Sequence, residues 1–248
     1  VGSSSHLLSV TEGANIDAHD AVIRVNAAPD GAGASKWLAQ CVGARTSVRF
    51  TNQMGNTPKS EPPPRCIFML EPAVECGGMC WMSPAECSKS CVIQENAHCH
   101  AHGQGSAPPA WKRSLVVADN LHHAIAQDIV VSSKKRRPGS YRTAGFTAFT
   151  YAIGSCDHVT AYGFGKSCAG KTGGRYYENR VAVHLFHPYD AELEIMQDIA
   201  REGPRSTYLQ RVPGWMRASS VTVYHPPCLK NQSDPKQPAY PDLCIRTP

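Results

Sequence analysis

The sequence "IDAHDAVIRVNAAP", residues 16–29, combines two acids, a histidine, an arginine and an asparagine with the alternating pattern of a β-strand. Over residues 20–29 the alternation predicts a strand with Val22, Arg24 and Asn26 on one face, because successive side chains of a strand point to opposite faces. A strand that only fills a core needs none of these polar groups. These polar residues therefore need an explanation other than packing in a core.

Secondary structure alternates along the rest of the chain. Further short strands are predicted at residues 44–52, 65–72, 114–119 and 157–165, and residues 1–10 have the pattern of a strand end that turns into a polar loop. Helices are predicted at residues 120–131, 143–156 and 190–202, where apolar residues recur at helical spacing. Strands that alternate with helices imply a mainly parallel sheet with helices on both faces, so we expect an α/β, Rossmann-like fold.

Length and charge limit the classes of protein that fit. The 248 residues fit one large α/β domain, which we expect over residues 1–248. The formal net charge of +5 is modest, and the basic run "KKRR" at 134–137 is typical of a solvated loop, so nucleic acid is not an expected partner. The longest purely apolar runs are only a few residues, which predicts neither a signal peptide nor a membrane span within this sequence.

Eleven cysteines and the sequon "NQS" at 231–233 indicate a secretory compartment in which disulfides form. The odd number leaves one thiol without a partner. Cysteines with C-x3-C spacing and histidines crowd residues 76–102 and are able to ligate zinc, but structural zinc sites more often use C-x2-C, which favours a disulfide-stapled insertion at 66–110. The proline-rich tail is expected to lie under a bridge at Cys228 or Cys244.

Candidate ligand-binding residues follow from the predicted sheet. Ligands of such sheets bind at the carboxyl ends of the strands, where glycines allow close approach and helix N-termini supply N–H donors. The turn at Gly2–Ser5, Asn26 and "RTAG" at 142–145 are therefore candidate parts of one site. Neither G-x-G-x-x-G nor G-x-x-x-x-G-K-[ST] occurs, so neither the usual dinucleotide-binding fold nor a P-loop is indicated.

Four segments, in their order, resemble the sequence motifs of eukaryotic sialyltransferases. Residues 1–50 resemble the large sialyl motif, including Ile16-Asp17, His19-Asp20 and Arg24-x-Asn26-x-Ala28-Pro29. "RTAGFTAFTYAIGSCDHVTAYGFG" (142–165) resembles the small motif, "RYYEN" (175–179) the third motif, and "HPYDAE" (187–192) the last motif with its His-x4-Glu form. The resemblance spans residue 1 to about residue 200 and implies a glycosyltransferase with a GT-A-like variant of the Rossmann-like fold.

The resemblance implies a site for a sugar donor linked to cytidine monophosphate (CMP). The expected donor-binding residues are Gly2, Ser3, Ser4, Asn26, Thr143, Gly145, Arg175, Tyr176 and Tyr177. Asp17, His19 and Asp20 are expected to fix the loop and strand that present the asparagine. Arg24 is a candidate partner for one of these acids. The two tyrosines are able to donate hydrogen bonds to phosphate, and the residues at 143 and 145 lie at a predicted helix start that suits an anion.

His187 is the expected general base, because the CMP ester already carries its leaving group and the acceptor hydroxyl must lose a proton as it attacks. An imidazole titrates near neutral pH, which suits this role. His184 is the rival base, but the residue five positions later is Tyr189, which breaks the His-x4-Glu pattern. Glu192 either orients the site or is a helix N-terminal acid favoured by the macrodipole.

Several departures from the family pattern bear on the donor. Serines at 3–5 replace parts of the common Gly-Asn-Ser-Gly, while Ala144 and Arg142 replace a common small hydroxyl residue and a proline. Arg175 stands where histidine is usual, and an arginine binds phosphate but cannot act as an acid. No Asp-x-Asp occurs, which agrees with the single inverting displacement, without metal or cofactor, that the resemblance implies.

The expected function is transfer of sialic acid from CMP-sialic acid to a terminal galactose or N-acetylgalactosamine of a glycoprotein or glycolipid. One alternative is a transferase that takes a Kdo-type 2-keto sugar acid from its CMP ester. Another is a degenerate relative that binds glycans without catalysis. Retention of His187, Tyr176, Tyr177 and Asn26 argues against the degenerate relative, whereas Arg175 argues for it.

The resemblance also implies a type II membrane protein of the Golgi lumen. Because residue 1 lies inside the large motif, we expect a catalytic fragment whose stem and membrane anchor precede it, with the anchor as the only contact to the membrane. In the family, a cysteine a few residues before the pair that corresponds to Val1-Gly2 forms a disulfide with the cysteine of the small motif, which here is Cys156. A partner upstream would explain the odd number of cysteines.

Overall fold

The computed structural model describes residues 1–51, 66–69, 115–118, 121–165, 175–177, 187–210, 212, 216–224 and 244. Two parallel sheets carry the strands. The first sheet has the order β1 (Ile23–Val25), β2 (Val48–Thr51), β3 (Cys66–Met69), β4 (Leu115–Ala118), and the second pairs β5 (His158–Ala161) with β6 (Ser220–Val223). The first five strands confirm the predicted ones. No strand was predicted at residues 220–223, which form β6.

Five helices accompany the strands in the described part of the chain: α1 (Gly13–Asp17), α2 (Ala39–Val42), α3 (Leu121–Val131), α4 (Ala144–Ser155) and α5 (Tyr189–Glu202). Short 3₁₀ segments cover Ser5–Ser9, Gly33–Leu38 and Gly203–Arg205. The three long helices confirm the predicted ones to within one residue at each end. None of the helices described here is long and apolar enough to cross a membrane.

The first residues of the chain join the two sheets. The main-chain nitrogen of Val1 lies 2.5 Å from the carbonyl oxygen of Ile23 in β1, and the N–H of Gly2 donates to the carbonyl of Tyr162, just after β5, at 2.6 Å. The order across the molecule is therefore β4, β3, β2, β1, residues 1–2, β5, β6. The chain adds strands outward to β4 and then continues on the other side with β5. Residues 1–4 thus lie at a topological switch point, where open α/β sheets bind ligands.

Apolar side chains cover both faces of this sheet. On one face α4 packs against β1, β2 and β5, α5 packs against β6, and α3 packs against α4 and α5 in the same layer. On the other face Leu7, Ile16 and Val42 pack together from the 3₁₀ segment, α1 and α2. The neighbours Ala161 and Tyr162 belong to opposite layers, as the alternation of strand side chains requires. The structure confirms the predicted α/β fold with helices on both faces.

Cys66–Met69 fall inside the insertion predicted at 66–110 and form β3 of the first sheet, which agrees with the strand predicted at 65–72. The other residues of that insertion, 70–110, lie outside the described residues. Ile16 and Asp17, just before the strand predicted at 20–29, lie in the helix α1. The cysteine-rich block at 76–102, with its zinc alternative, lies outside the described residues.

Two arginines are buried side by side in the sheet. Arg24 in β1 and Arg49 in β2 are register partners and are 0% and 1% exposed. Arg24 donates to the carbonyl oxygens of Val42 at 2.5 Å and of Arg45 at 3.1 Å. The expected pairing of Arg24 with an acid is therefore wrong, because the loop after α2 folds over the strand and supplies carbonyl acceptors instead.

Gly43 ends α2 with a left-handed backbone, φ +74°, and a Cβ at this position would lie 2.4 Å from Oδ1 of Asp17. The same carboxylate accepts the N–H groups of Ala44 at 2.8 Å and of Arg45 at 3.1 Å. We expect Gly43→Ala to lower the free energy of unfolding by ~2–4 kcal/mol, since a clash adds to the cost of a left-handed alanine. Urea denaturation measures this loss.

Gly139→Ala is the matched control for that measurement. Gly139 has φ +76°, but a Cβ there would meet nothing within 4 Å. The control should therefore lower the free energy of unfolding only by the cost of the backbone conformation, ~1 kcal/mol. Equal losses in the two variants would show that the contact between residue 43 and Asp17 contributes nothing.

A disulfide joins Cys41 in α2 to Cys244 in the C-terminal tail. It confirms a bridge at Cys244, one of the two positions predicted, while Cys228 lies outside the described residues. Cys156, at the end of α4, is a half-buried free thiol. The tail is thus fixed covalently to the layer that contains α2.

Candidate active site

The switch point is built from main chain in close contact. A Cβ on Gly2 would lie 2.3 Å from the carbonyl oxygen of Gly163, so the turn requires glycine at this position. The N–H of Ser4 donates to the same carbonyl at 3.0 Å, and the Ser4 hydroxyl donates to the carbonyl of Gly165 at 3.3 Å. The predicted donor-binding turn therefore lies against the loop that follows β5.

Residues 175–177 lie beside this turn. Arg175 forms an isolated antiparallel bridge with Ser4, and the N–H of Tyr176 donates to the carbonyl of Ser3 at 3.0 Å. The buried Tyr176 hydroxyl donates to the carbonyl of Pro29, so its proton is used within the protein. The guanidinium of Arg175 lies 5.9 Å from the ring centre of Tyr177. The third motif thus meets the first, and phosphate binding by Tyr176 stays a prediction.

Asn26 ends β1 in a left-handed conformation, with φ 46°. Among the described residues it is the only one other than glycine with positive φ, a conformation that asparagine tolerates better than most residues. Its N–H donates to the carbonyl of Phe50 at 2.7 Å, and its carbonyl accepts Nη1 of Arg49 at 2.7 Å. The residue therefore leaves the sheet at the carboxyl end of β1, where a ligand would bind.

Glu192 binds the residue that caps α4. Its carboxylate accepts the N–H of Thr143 at 2.5 Å and the Thr143 hydroxyl at 2.8 Å, and that hydroxyl accepts the N–H of Phe146. Both donors of Thr143 are therefore used by Glu192. In the described part of the chain, the N–H groups of Ala144 and Gly145 donate to no protein group, so they are the donors that an anion at this helix N-terminus would meet.

The carboxyl of Glu192 is poised between its two protonation states. Burial raises its pKa from the ordinary value of 4.5 to about 7, against the hydrogen bonds of Thr143 and the charge of Arg142, which lower it. The side chain is 6% exposed. Of the two roles considered for this residue, orienting the site fits the contacts, because the carboxylate spans from α5 to α4.

His187 precedes α5 and contacts the segment that leads into α4. Its Nδ1 lies 3.1 Å from the carbonyl oxygen of Tyr141, and its ring packs edge-on against Tyr141 and Tyr189 at 5.2 and 5.7 Å between ring centres. A carbonyl only accepts, so Nδ1 carries the proton and the lone pair of the neutral imidazole is on Nε2. This tautomer suits a general base. The rival, His184, lies outside the described residues.

The loop after β5 connects the two halves of the site. A Cβ on Gly145 would lie 3.1 Å from the ring of Phe164, and one on Gly165 would lie 3.2 Å from Leu193 in α5. Gly165 also accepts the hydroxyl of Ser4. Residues 163–165 therefore contact the turn at Gly2–Ser4, Gly145 of α4 and Leu193 of α5, and residues 175–176 contact the same turn.

Sequence reasoning missed Arg49, which binds the carbonyl of Asn26, and Tyr141, whose carbonyl lies beside His187. The period-two pattern of "TSVRF" was the available signal for Arg49, since it places a charged residue within an apolar strand. Tyr141 gave no signal, because its carbonyl is the group that contacts His187. Within the described residues, no three His, Cys, Asp or Glu side chains lie together as metal ligands, and metal independence stays a prediction.

Comparison with known proteins supports one family. The family model described as glycosyltransferase family 29 (sialyltransferase) matches residues 1–204. Sialyltransferase-like protein 3 of Oryza sativa subsp. indica is 26% identical over 90% of this chain and 61% of its own length. The β-1,6-galactosyltransferase GALT29A of Arabidopsis thaliana is 25% identical over 91% of this chain and 55% of its own length. The chain thus spans little more than half the length of these curated relatives.

The solved structures that resemble this chain agree on the fold. A mammalian sialyltransferase superposes with a TM-score of 0.53 at 21% identity, covering 81% of this chain and 64% of that one. A mammalian sialyltransferase in complex with Gal-β-1-3GalNAc-ortho-nitrophenol gives 0.54 at 20% identity with the same coverage. The match over residues 1–204, together with a shared fold, shows that the chain belongs to glycosyltransferase family 29, the sialyltransferase family.

Proposed function

We propose that this chain transfers sialic acid from CMP-sialic acid to a terminal galactose or N-acetylgalactosamine of a glycoprotein or glycolipid. One observation carries the proposal: Glu192 of α5 binds Thr143 at the N-terminus of α4, and His187, just before α5, contacts Tyr141 in the segment that leads into α4. The N-terminus of α4 offers N–H donors to a leaving phosphate, and His187 offers a base to an attacking hydroxyl.

In this mechanism the phosphate of the donor binds at the N–H groups of Ala144 and Gly145. Arg175 adds a fixed positive charge that offsets the charge developing on the departing CMP. The turn Gly2–Ser4 and Asn26 hold the nucleotide at the switch point. The hydrogen bonds of Glu192 to Thr143 support this role of α4, because they hold the first turn of the helix.

His187 acts on the acceptor. Its Nε2 takes the proton of the acceptor hydroxyl as that oxygen bonds to the anomeric carbon of the sialic acid. The bond from this carbon to the phosphate oxygen breaks in the same step, and the electron pair leaves with CMP. A single displacement of this kind inverts the anomeric configuration and uses neither a metal nor a cofactor.

A different donor is the second candidate function. The similarity to a protein named as a galactosyltransferase is close to the similarity to those named sialyltransferase-like. Ser3 and Arg175, which replace usual family residues, both belong to the segments through which the first and third motifs contact each other. These observations favour testing a Kdo-type or a galactosyl donor beside sialic acid.

Release of free nucleotide from CMP-sialic acid, CMP-Kdo and UDP-galactose, with and without galactose-terminated acceptors, tests the proposal. We expect release from CMP-sialic acid that depends on an acceptor and persists in EDTA. Acceptor-dependent release from one of the other donors alone would replace the proposed sugar. Binding of CMP without release from any donor would favour a degenerate, non-catalytic relative.

We also propose the Golgi lumen as the place of action. The disulfide between Cys41 and Cys244 supports an oxidising compartment.

Glu192→Gln is expected to remove part of the pH dependence of stability. With a pKa of about 7 in place of 4.5, the folded protein binds a proton at this carboxyl more tightly than the unfolded chain does. The stabilisation by this group is therefore complete below pH 4.5 and is lost as the pH rises through about 7. Glutamine is neutral at every pH, so the variant should lose less stability than the wild type between about pH 5 and about pH 8.

Melting temperatures at the two pH values measure this difference. Glu194→Gln is the matched control, because Glu194 lies on the same helix, is 37% exposed and pairs with Lys135 at 3.1 Å. It should keep the wild-type difference. If the melting temperature of Glu192→Gln changes between the two pH values as much as that of the wild type, this carboxyl does not titrate in that range.

A further inference from the structure

Arg49 contacts the turn that follows β1. Its Nη1 donates to the carbonyl oxygens of Asn26 at 2.7 Å and of Ala28 at 3.0 Å, and the side chain is 1% exposed. One nitrogen thus binds two carbonyls two residues apart. A charged donor with this burial makes stronger hydrogen bonds than a neutral one.

Asn26 needs such support, because its left-handed backbone is less stable than an extended one. Both of its main-chain groups are bound by neighbours in β2: its N–H by the carbonyl of Phe50 and its carbonyl by the guanidinium of Arg49. Strand β2 therefore determines the conformation of the residue that ends β1.

We propose that Arg49 is a positioning residue for the donor, which acts by holding Asn26 in its left-handed conformation. The proposal rests on the proposed function, in which Asn26 binds the CMP part of the donor. It assigns to the buried guanidinium a role in affinity for the nucleotide, besides any role in stability.

Arg24 provides a matched control. It is the register partner of Arg49 and is equally buried, but it donates to carbonyls of the loop at 42–45. Loss of either guanidinium removes a buried charge and leaves carbonyl acceptors without their donor, so both variants should lower the melting temperature. Only loss of Arg49 should change the conformation of Asn26.

The experiment is a double-mutant cycle read by CMP binding in calorimetry. We expect Arg49→Met to raise the Kd for CMP ~10-fold and Asn26→Ala to raise it ~10–100-fold, values typical of losing one hydrogen bond to a charged group. If Arg49 acts through Asn26, the double variant should bind CMP within ~2-fold of Asn26→Ala alone. Arg24→Met should leave the Kd within ~2-fold of the wild type.

The proposal is overturned if Arg49→Met raises the Kd for CMP by the same factor in the wild type and in Asn26→Ala. It is also overturned if Arg24→Met raises this Kd as much as Arg49→Met does. Arg49→Lys replaces Arg49→Met in the cycle if the latter fails to fold, and we expect it to give an intermediate Kd. A wild type that binds no CMP would overturn the proposed function, and this proposal with it. A wild type that binds CMP and gives an additive cycle would overturn only the positioning role.

Discussion

Replacement of His187 by alanine should lower the rate of sugar transfer by ~10²–10⁴ while CMP binding changes little. The imidazole accepts a proton only as the acceptor hydroxyl attacks, so its loss affects the transition state and leaves the bound donor undisturbed. The carbonyl of Tyr141 fixes the tautomer by accepting the proton on Nδ1. His187→Gln should be as slow as His187→Ala, because an amide is not a base at neutral pH.

The measurement pairs kcat for transfer with the Kd for CMP in the same preparations. His158→Ala is the control, because His158 begins β5, at the end of the strand away from residues 163–165, and bonds Ser220 at 2.8 Å. It should transfer at the wild-type rate. Wild-type kcat in His187→Ala would move the base elsewhere, with His184 as the next residue to replace. Loss of CMP binding in the same variant would instead mean that His187 acts on the donor.

Removal of the disulfide between Cys41 and Cys244 should have the largest effect on stability. The two cysteines are 203 residues apart, so the bridge restricts most of the unfolded chain. The chain-entropy model gives about 5 kcal/mol for a loop of this size. We expect the double variant Cys41→Ala, Cys244→Ala to lose up to this amount in chemical denaturation without reductant.

Cys156→Ala is the control for the loss of a thiol, because Cys156 is half-buried and free in the structure. It should change the free energy of unfolding by about 1 kcal/mol or less. A double variant as stable as the wild type would contradict the prediction and show that other contacts hold the tail. Peptide mapping by mass spectrometry without reductant should recover Cys41 linked to Cys244.

Local patterns were sufficient for most of the framework. Helical spacing predicted α4 to within one residue, and alternation predicted β1 and β2. The four motifs, read in order, were enough to identify the family. Propensity, capping and side-chain period depend on residues a few positions apart, so a single sequence contains the information.

Long-range contacts decided the rest. The acids at 17 and 20 are close to Arg24 in sequence, and the expected ion pair was wrong because α2 brings carbonyls from residues 42 and 45 to the guanidinium. The His-x4-Glu motif places Glu192 five residues after His187. It does not show that the carboxylate of Glu192 accepts both hydrogen-bond donors of Thr143, 49 residues away in the sequence.

The sequence therefore determined which elements form and which family they build, since these follow from neighbours along the chain. The folded chain alone decided which hydrogen-bond donors remain for a substrate. Each donor is used or left according to the acceptor that packing places beside it. The carbonyl of Pro29 accepts the hydroxyl of Tyr176, and the carbonyl of Asn26 accepts the guanidinium of Arg49. Such pairings depend on how distant segments meet in the fold, which local pattern does not encode.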